Sequence, residues 1–283
     1  MGFTILHPHI NLEITLEEVN TLFFHEQILE SLLRGLVTEL VSDQCFRHPI
    51  IVDRQSRVVL DGTHRLTAAR ELGCRFIPVC LVDYDNPNVV IGCWQRVISP
   101  RLDIEWVKKA IEDSGFRLEE MCLTNARDLV KKREATASIA FNSTCFAVRG
   151  VHDDIKDIYD AIQEIEHTLR AADYSIHYET ERDAFKNLAL GDECSLLIVP
   201  VVSKDEVVNI ALNGQVFSYK TTRHVIPLRP LFVNTSFEWL NSPLSPERLN
   251  ARFTQHLSKK QFERLPPNQM FDRRYDEELH IFK

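Results

Sequence analysis

Residues 58–73, Val-Val-Leu-Asp-Gly-Thr-His-Arg-Leu-Thr-Ala-Ala-Arg-Glu-Leu-Gly, constrain what this chain can fold into more than any other stretch. Three β-favouring residues, Val58, Val59 and Leu60, run into Asp61-Gly62, and Leu66, Ala69 and Leu72 then recur at helical spacing before Gly73, a residue suited to end a helix. The pattern is a strand, a tight turn and a helix. Gly62 lets the backbone come close to a ligand, and the amides at the helix start offer donors to an anion. A bare Asp-Gly would fit an ordinary strand-to-helix connection. His64 and Arg65 tip the reading, because a cation at a helix start gains nothing from the macrodipole unless an anion lies beside it. The turn reads as a phosphate holder.

At 283 residues the chain is long enough for two domains, each with a core of its own. No apolar run approaches the roughly 20 residues needed to cross a bilayer, so no membrane partner is expected. The start, Met-Gly-Phe-Thr-Ile-Leu-His-Pro-His, lacks both a basic region and a continuous apolar stretch, and a cytoplasmic location is expected. Seven scattered cysteines form no CxxC pair and no Cys/His cluster, which predicts reduced thiols. The formal charge of −8 argues against a broad nucleic-acid footprint, while a few converging donors would still suffice for a small anion.

Residues 1–20 read as a short extended piece leading into a turn of helix. Ile28, Leu29, Leu32, Leu33, Leu36, Val37, Leu40 and Val41 then follow the 3, 4 spacing of an amphipathic helix, preceded by His25 and Glu26. Taken alone, Glu26 reads as a carboxylate favoured in a first helical turn. Pro49–Asp53 and Phe76–Asp83 read as strands, and Pro78 points to an edge position or a strand start for the second. Trp94 closes a further strand; a lone Trp is usually core, although strand ends also carry side chains into sites. The domain junction is expected near residue 130, giving domains 1–130 and 131–283. In the second, Ile155, Ile158, Ile162, Ile165 and Leu169 predict an amphipathic helix, and Ser195–Val202 a buried strand.

Chemistry returns at Lys220-Thr-Thr-Arg-His224, between the strand-like runs 209–217 and 225–234. Two cations, two hydroxyls and an imidazole could recognise a carboxylate or phosphate; an exposed polar strand is the plainer alternative. If extended, Lys220, Thr222 and His224 share one face.

Taken together, Pro49-Ile-Ile-Val-Asp, the Asp61-Gly-Thr-His-Arg65 turn and Leu-Gly-Cys-Arg-Phe-Ile-Pro-Val resemble the ParB/sulfiredoxin-like fold. His25-Glu26, Trp94 and Lys220–His224 before Pro-Leu-Arg-Pro make the chain similar, within that superfamily, to the free serine kinases. The resemblance covers residues of about 20–100 and 209–235. It implies an α+β protein with a ParB-like nucleotide-binding N-terminal domain, a second α+β domain that binds substrate, and an active site in the cleft between them. It further implies a kinase that takes ADP or ATP, with Mg²⁺, and phosphorylates L-serine to O-phospho-L-serine for cysteine or siderophore biosynthesis. Glu26 would be the base, Asp61, Gly62, Thr63, His64 and Arg65 would hold the nucleotide, and Trp94, Lys220, Thr222 and His224 would shape the serine site. Many relatives carry a second His where Thr63 stands. No carboxylate pair identifies metal ligands in the chain. A ParB-like nucleotide-binding regulator or DNA-binding protein without kinase activity is the alternative, although the sequence shows neither a helix-turn-helix nor a basic surface. A sulfiredoxin-like reductase would need a Cys beside the turn, where Thr63 stands.

Overall fold

The computed structural model describes residues 2–141, 144–152, 154–190, 194–271 and 274–283. They fall into two compact units. Met1–Val90, Val207–Tyr219 and His224–Lys283 form the first, and Ile91–Glu206 with Lys220–Arg223 form the second. This division does not follow the expected single boundary at residue 130, because the chain leaves the first unit after Val90 and returns to it at Val207.

The first unit opens with β1 (Phe3–His7), β2 (Ile10–Glu18), β3 (Phe23–Phe24), α1 (Glu30–Asp43), β4 (Ile50–Asp53), β5 (Val58–Asp61), α2 (Thr63–Glu71) and β6 (Phe76–Val82). Its strands form a six-stranded sheet in the order β1-β2-β6-β4-β5-β3. The start of the chain is thus a full hairpin, longer than the short extended piece expected. Ile10, Leu12, Ile14 and Leu16 are buried at every second position of β2, as a strand with one core face requires. β4 and β6 are buried throughout, matching their continuous apolar runs. β6 lies inside the sheet, so the edge position suggested by Pro78 does not hold. Pro78 faces Leu16 of β2, one residue before the pairing with β4 begins at Ile50↔Val79. A residue without an N–H is tolerated there, where the parallel ladder has not yet started.

The second unit contains β7 (Gln95–Ser99), α3 (Ile104–Asp113), β8 (Arg117–Met121), α4 (Leu123–Lys131), β9 (Ala137–Ala140), β10 (Cys145–Arg149), α5 (Ile155–Ala171), β11 (Ser175–Glu179), α6 (Glu181–Leu190) and β12 (Ser195–Ile198). Its sheet is antiparallel in the order β8-β10-β9-β12-β7-β11. α5 buries Ile155, Ile158, Ile162, Ile165 and Leu169, the stripe read from the sequence, and starts at Asp154, whose carboxylate accepts from the Asp157 N–H at 3.0 Å.

α7 (Lys204–Leu212) carries the chain back to the first unit, so the strand-like run expected at 209–217 is in its first part a helix. Val207, Ile210 and Ala211 are its buried residues, spaced i, i+3, i+4. After it come β13 (Leu228–Leu231), α8 (Pro246–Leu257), β14 (Phe262–Leu265) and β15 (Glu278–Phe282), the three strands forming a sheet in the order β13-β15-β14. Buried Asn250 of α8 ties that helix to β2. Its Oδ1 accepts from the Thr15 hydroxyl (2.7 Å) and the Leu16 N–H (2.8 Å), and its Nδ2 donates to the Leu16 carbonyl (3.0 Å). The seven cysteines form no disulfide with one another, and among the described residues no helix is long and apolar enough to cross a membrane.

Candidate active site

The strand, turn and helix at 58–73 form as read, and Gly62 is required twice over. Its φ is +112°, and a Cβ built on it would lie 2.4 Å from Cγ2 of Ile50. α2 begins at Thr63, so the amides of its first turn stand at the turn with no side-chain cap from Gly62. Thr63 is the first helical residue. His64 Nε2 accepts from the Leu29 N–H at 3.0 Å, at the start of α1. A backbone N–H can only donate, so Nε2 carries a lone pair and His64 is not the cation expected from its place in the sequence.

Arg65 has structural partners. It donates to the carbonyls of His48 (3.1 Å) and Pro49 (2.9 Å) and to Asp61 Oδ1 (3.3 Å). Asp61 Oδ2 accepts from Arg229 Nη1 at 2.5 Å, and Arg229 Nε reaches Glu277 at 2.9 Å. Two guanidinium groups therefore grip the Asp61 carboxylate. Arg229 is 3% exposed; burial disfavours its charge, but Asp61 and Glu277 more than offset this and hold its pKa above the ordinary arginine value.

Glu26 lies outside any helix. α1 starts four residues later, at Glu30, and Glu26 forms a parallel bridge with Phe217. The bridge is framed by Phe217 N–H to the His25 carbonyl (2.8 Å) and Gln27 N–H to the Phe217 carbonyl (2.9 Å). The helix-start reading of Glu26 therefore fails on geometry. Tyr219, two residues beyond Phe217, packs its ring edge-on to His64 with centroids 5.9 Å apart. Burial raises the Tyr219 phenol pKa and the Glu26 charge raises it further, so one tyrosine is close to both the carboxylate and the turn.

Behind Glu26 lie two buried imidazoles. His25 Nδ1 is 2.9 Å from the Val59 carbonyl, which can only accept, so that nitrogen carries the proton. Its Nε2 is 4.0 Å from Glu26 Oε1. The His224 ring meets His25 edge-on at 5.5 Å, and its Nε2 lies 2.7 Å from the Tyr84 hydroxyl. Burial lowers the pKa of both histidines, and each is neutral near pH 7. Around His25, Glu26 works the other way; around His224, His25 adds to the lowering, while Asp61 and the Leu60 backbone oppose it.

Trp94, Lys220 and Thr222 belong to the second unit. The Lys220 ammonium sits 4.3 Å from the Trp94 ring centroid and the Arg223 guanidinium 5.7 Å from it. The segment is not the extended strand expected. Lys220 has φ +62°, the strand starts only at Arg223, and Thr221, Thr222 and His224 are all buried, so no alternation of faces survives. Beneath Trp94, Arg96 is fully buried. It donates to the Trp94 carbonyl at 2.6 Å and to Glu166 Oε1 at 2.7 Å, while Tyr178 and Arg170 hold Glu166 Oε2 at 2.7 and 3.0 Å.

The first unit thus brings together Glu26, Asp61, Gly62, Thr63, His64, Arg65 and His224, and the second brings together Trp94 and Lys220. Tyr84, Tyr219 and Arg229 were not singled out from sequence. Arg229 lies in the Pro-Leu-Arg-Pro run quoted for the resemblance, which was its signal; Tyr84 had none. Among the described residues no group of three His, Cys, Asp or Glu side chains converges as metal ligands.

No family model matches the chain. It is 30% identical over 245 residues to the ATP-dependent L-serine kinase of Staphylothermus marinus, a match spanning 82% of this chain and 93% of that protein. It is 23% identical over 220 residues to the ADP-dependent L-serine kinase SerK of Thermococcus kodakarensis, spanning 76% and 88%. A solved free serine kinase mutant in complex with AMP aligns with a TM-score of 0.68 at 22% identity, over 80% of this chain and 93% of that one, and so shares the fold. With the α+β units, the Asp-Gly-x-His-Arg turn and the Glu26 bridge in place, the match over nearly the whole length of the S. marinus enzyme shows that the chain belongs to the free L-serine kinase family.

Proposed function

We propose that the protein transfers the terminal phosphoryl group of a nucleotide to the hydroxyl of free L-serine, giving O-phospho-L-serine. The observation that carries this reading is Glu26, fixed by a backbone bridge, mostly buried, and linked through Tyr219 to the start of α2. In this reading Glu26 takes the serine hydroxyl proton as the oxygen bonds to phosphorus and the bridging P–O bond breaks, releasing the nucleotide one phosphate shorter. The amides of residues 63–65 hold the phosphates. Arg65 and Arg229 act at one remove, by fixing Asp61 at the turn. Lys220 and Thr222 bind the serine carboxylate, with Trp94 as the surface on which Lys220 rests.

Mg²⁺ is assigned to the phosphates and water that accompany the nucleotide. The described side chains offer no ligand cluster and Asp61 is taken up by two arginines, so no step is routed through a protein-held metal. The relative at 30% identity uses ATP and the one at 23% uses ADP, and both donors belong in the test. Phosphorylation turns a poor leaving group into a good one at the serine β-carbon. This supports a place in cysteine or siderophore synthesis.

Purified protein incubated with L-serine, Mg²⁺ and either ATP or ADP should yield O-phosphoserine by mass spectrometry. Nucleotide binding without any phosphoserine from either donor would instead favour a ParB-like regulator.

A further inference from the structure

The resemblance to the free serine kinases implies that His224 shapes the serine site but leaves unexplained what holds it. Tyr84 stands just beyond β6 and is 3% exposed. Its backbone N–H donates to Asp53 Oδ1 at 3.3 Å, while Asp53 Oδ2 accepts from the Ser56 N–H (2.8 Å) and hydroxyl (2.5 Å). One buried carboxylate therefore fixes both the β4–β5 connection and the start of Tyr84. From that anchor the phenol reaches His224, 140 residues further along the chain. Its ring packs at 5.4 Å, tilted by 57°, and its hydroxyl lies 2.7 Å from Nε2. His25 packs edge-on to the same imidazole.

We infer that Tyr84 is a positioning residue for His224, its hydroxyl holding the imidazole in one ring orientation for the amino-acid substrate. A buried imidazole has two ring flips, and shape alone distinguishes them poorly. A single short hydrogen bond in a buried setting selects between them, because the flipped ring turns a carbon towards the hydroxyl and loses the bond. Since a phenol can donate or accept, the choice holds for either tautomer. The inference rests on the reading of His224 as part of the serine site, and it adds a residue that does not itself touch serine.

Two measurements test it. In the unaltered protein, the His224 ring should give one set of NMR signals, with its Nε2 edge close to the Tyr84 ring; two exchanging orientations would overturn the inference without any variant having to fold. Tyr84→Phe keeps the ring and removes the oxygen. It should broaden or split the His224 ring signals as the second orientation is populated and raise the KM for serine about tenfold, with kcat and nucleotide affinity within about twofold. His224→Ala, assayed in parallel, separates the two readings. If it raises the serine KM while Tyr84→Phe leaves it unchanged, the positioning role is wrong. If His224→Ala leaves the serine KM unchanged, the serine-site reading falls and this inference falls with it.

Discussion

Two clusters of buried ionisable groups, one in each unit, are treated in opposite ways. In the first, His25 and His224 are enclosed with few opposite charges, and burial drives both towards neutrality. In the second, Arg96 and Glu166 are enclosed as deeply, yet Glu166 is held below the usual carboxylate range and Arg96 above the usual arginine value. Burial opposes both charges there, but the Arg96–Glu166 pairing, with Tyr178 bonded to Glu166, outweighs it. Burial alone does not decide the charge of a buried group. What decides it is whether a partner of opposite sign was buried alongside.

The largest expected effect concerns Glu26, the carboxylate set among the neutral imidazoles. Glu26→Gln keeps the size and removes the proton acceptor, and kcat should fall about 10²- to 10⁴-fold, with melting temperature and nucleotide affinity nearly unchanged. Steady-state kinetics decide this; an enzyme within about threefold of the wild type, or roughly 0.65 kcal/mol of barrier, has not lost a working base.

Next comes the buried pair of the second cluster. Arg96→Met leaves Glu166 buried with only part of its hydrogen-bonding set, and denaturant titration should show a loss of about 3–5 kcal/mol. Adding Glu166→Leu should recover much of that loss, since no charge then remains to be solvated. A double variant as unstable as the single one would mean that the pair does more than neutralise itself.

Acid should separate the units. His25 and His224 have ordinary values of 6.5 that folding lowers, so the unfolded chain binds their protons first. Their stabilising effect is complete above about pH 6.5 and is lost as pH falls below it, by up to about 1.4 kcal/mol per histidine per pH unit. His280, lowered to about 4 by burial and by Arg264, adds to this loss in the first unit. Glu166 has the opposite sign of charge: its folded value lies below 4.5, so its contribution persists until pH drops past that point. His152, with its lowered value but greater exposure, is the smaller counterpart in the second unit. Amide protection factors, corrected for the intrinsic exchange rate at each pH, should therefore fall in β5 before β7 between pH 7 and 5; the reverse order would count against the neutral-histidine account.

The smallest effect is expected at the surface of the second unit. Lys220→Met removes a cation from the Trp94 ring and should cost about 0.5–1 kcal/mol of stability, read from the denaturant midpoint. The serine KM should rise at the same time if Lys220 also holds the substrate carboxylate.

The sequence made local features legible and left distant pairings hidden. The strand and helix around Gly62 could be read because Val58–Leu60 and Leu66, Ala69 and Leu72 keep different periods on either side of one glycine. The β1–β2 hairpin was underestimated because Asn11 and Glu13, which lie on the more exposed face of β2, interrupt the apolar residues. The run at 209–217 was misread because only three buried residues mark α7, and Asn213-Gly214, a turn signal, follows at once. Arg229 and Asp61 meet across 168 residues, and no local pattern announces such a pair. For the same reason nothing in the sequence marked Tyr84, and Glu26 looked like the opening of a helix that in fact starts later.

The interrupted course of the first unit bears on how the protein comes off the ribosome. Translation delivers residues 91–206, nearly the whole second unit, before the last two segments of the first exist. By then β1 to β6 have been made, but Phe217, which bridges Glu26, Arg229, which grips Asp61, and Asn250, which ties α8 to β2, have not. A nascent chain paused near residue 200 would therefore carry a first-unit sheet that still lacks the partners of Glu26, Asp61 and β2. No active kinase could form until the final third of the chain had emerged.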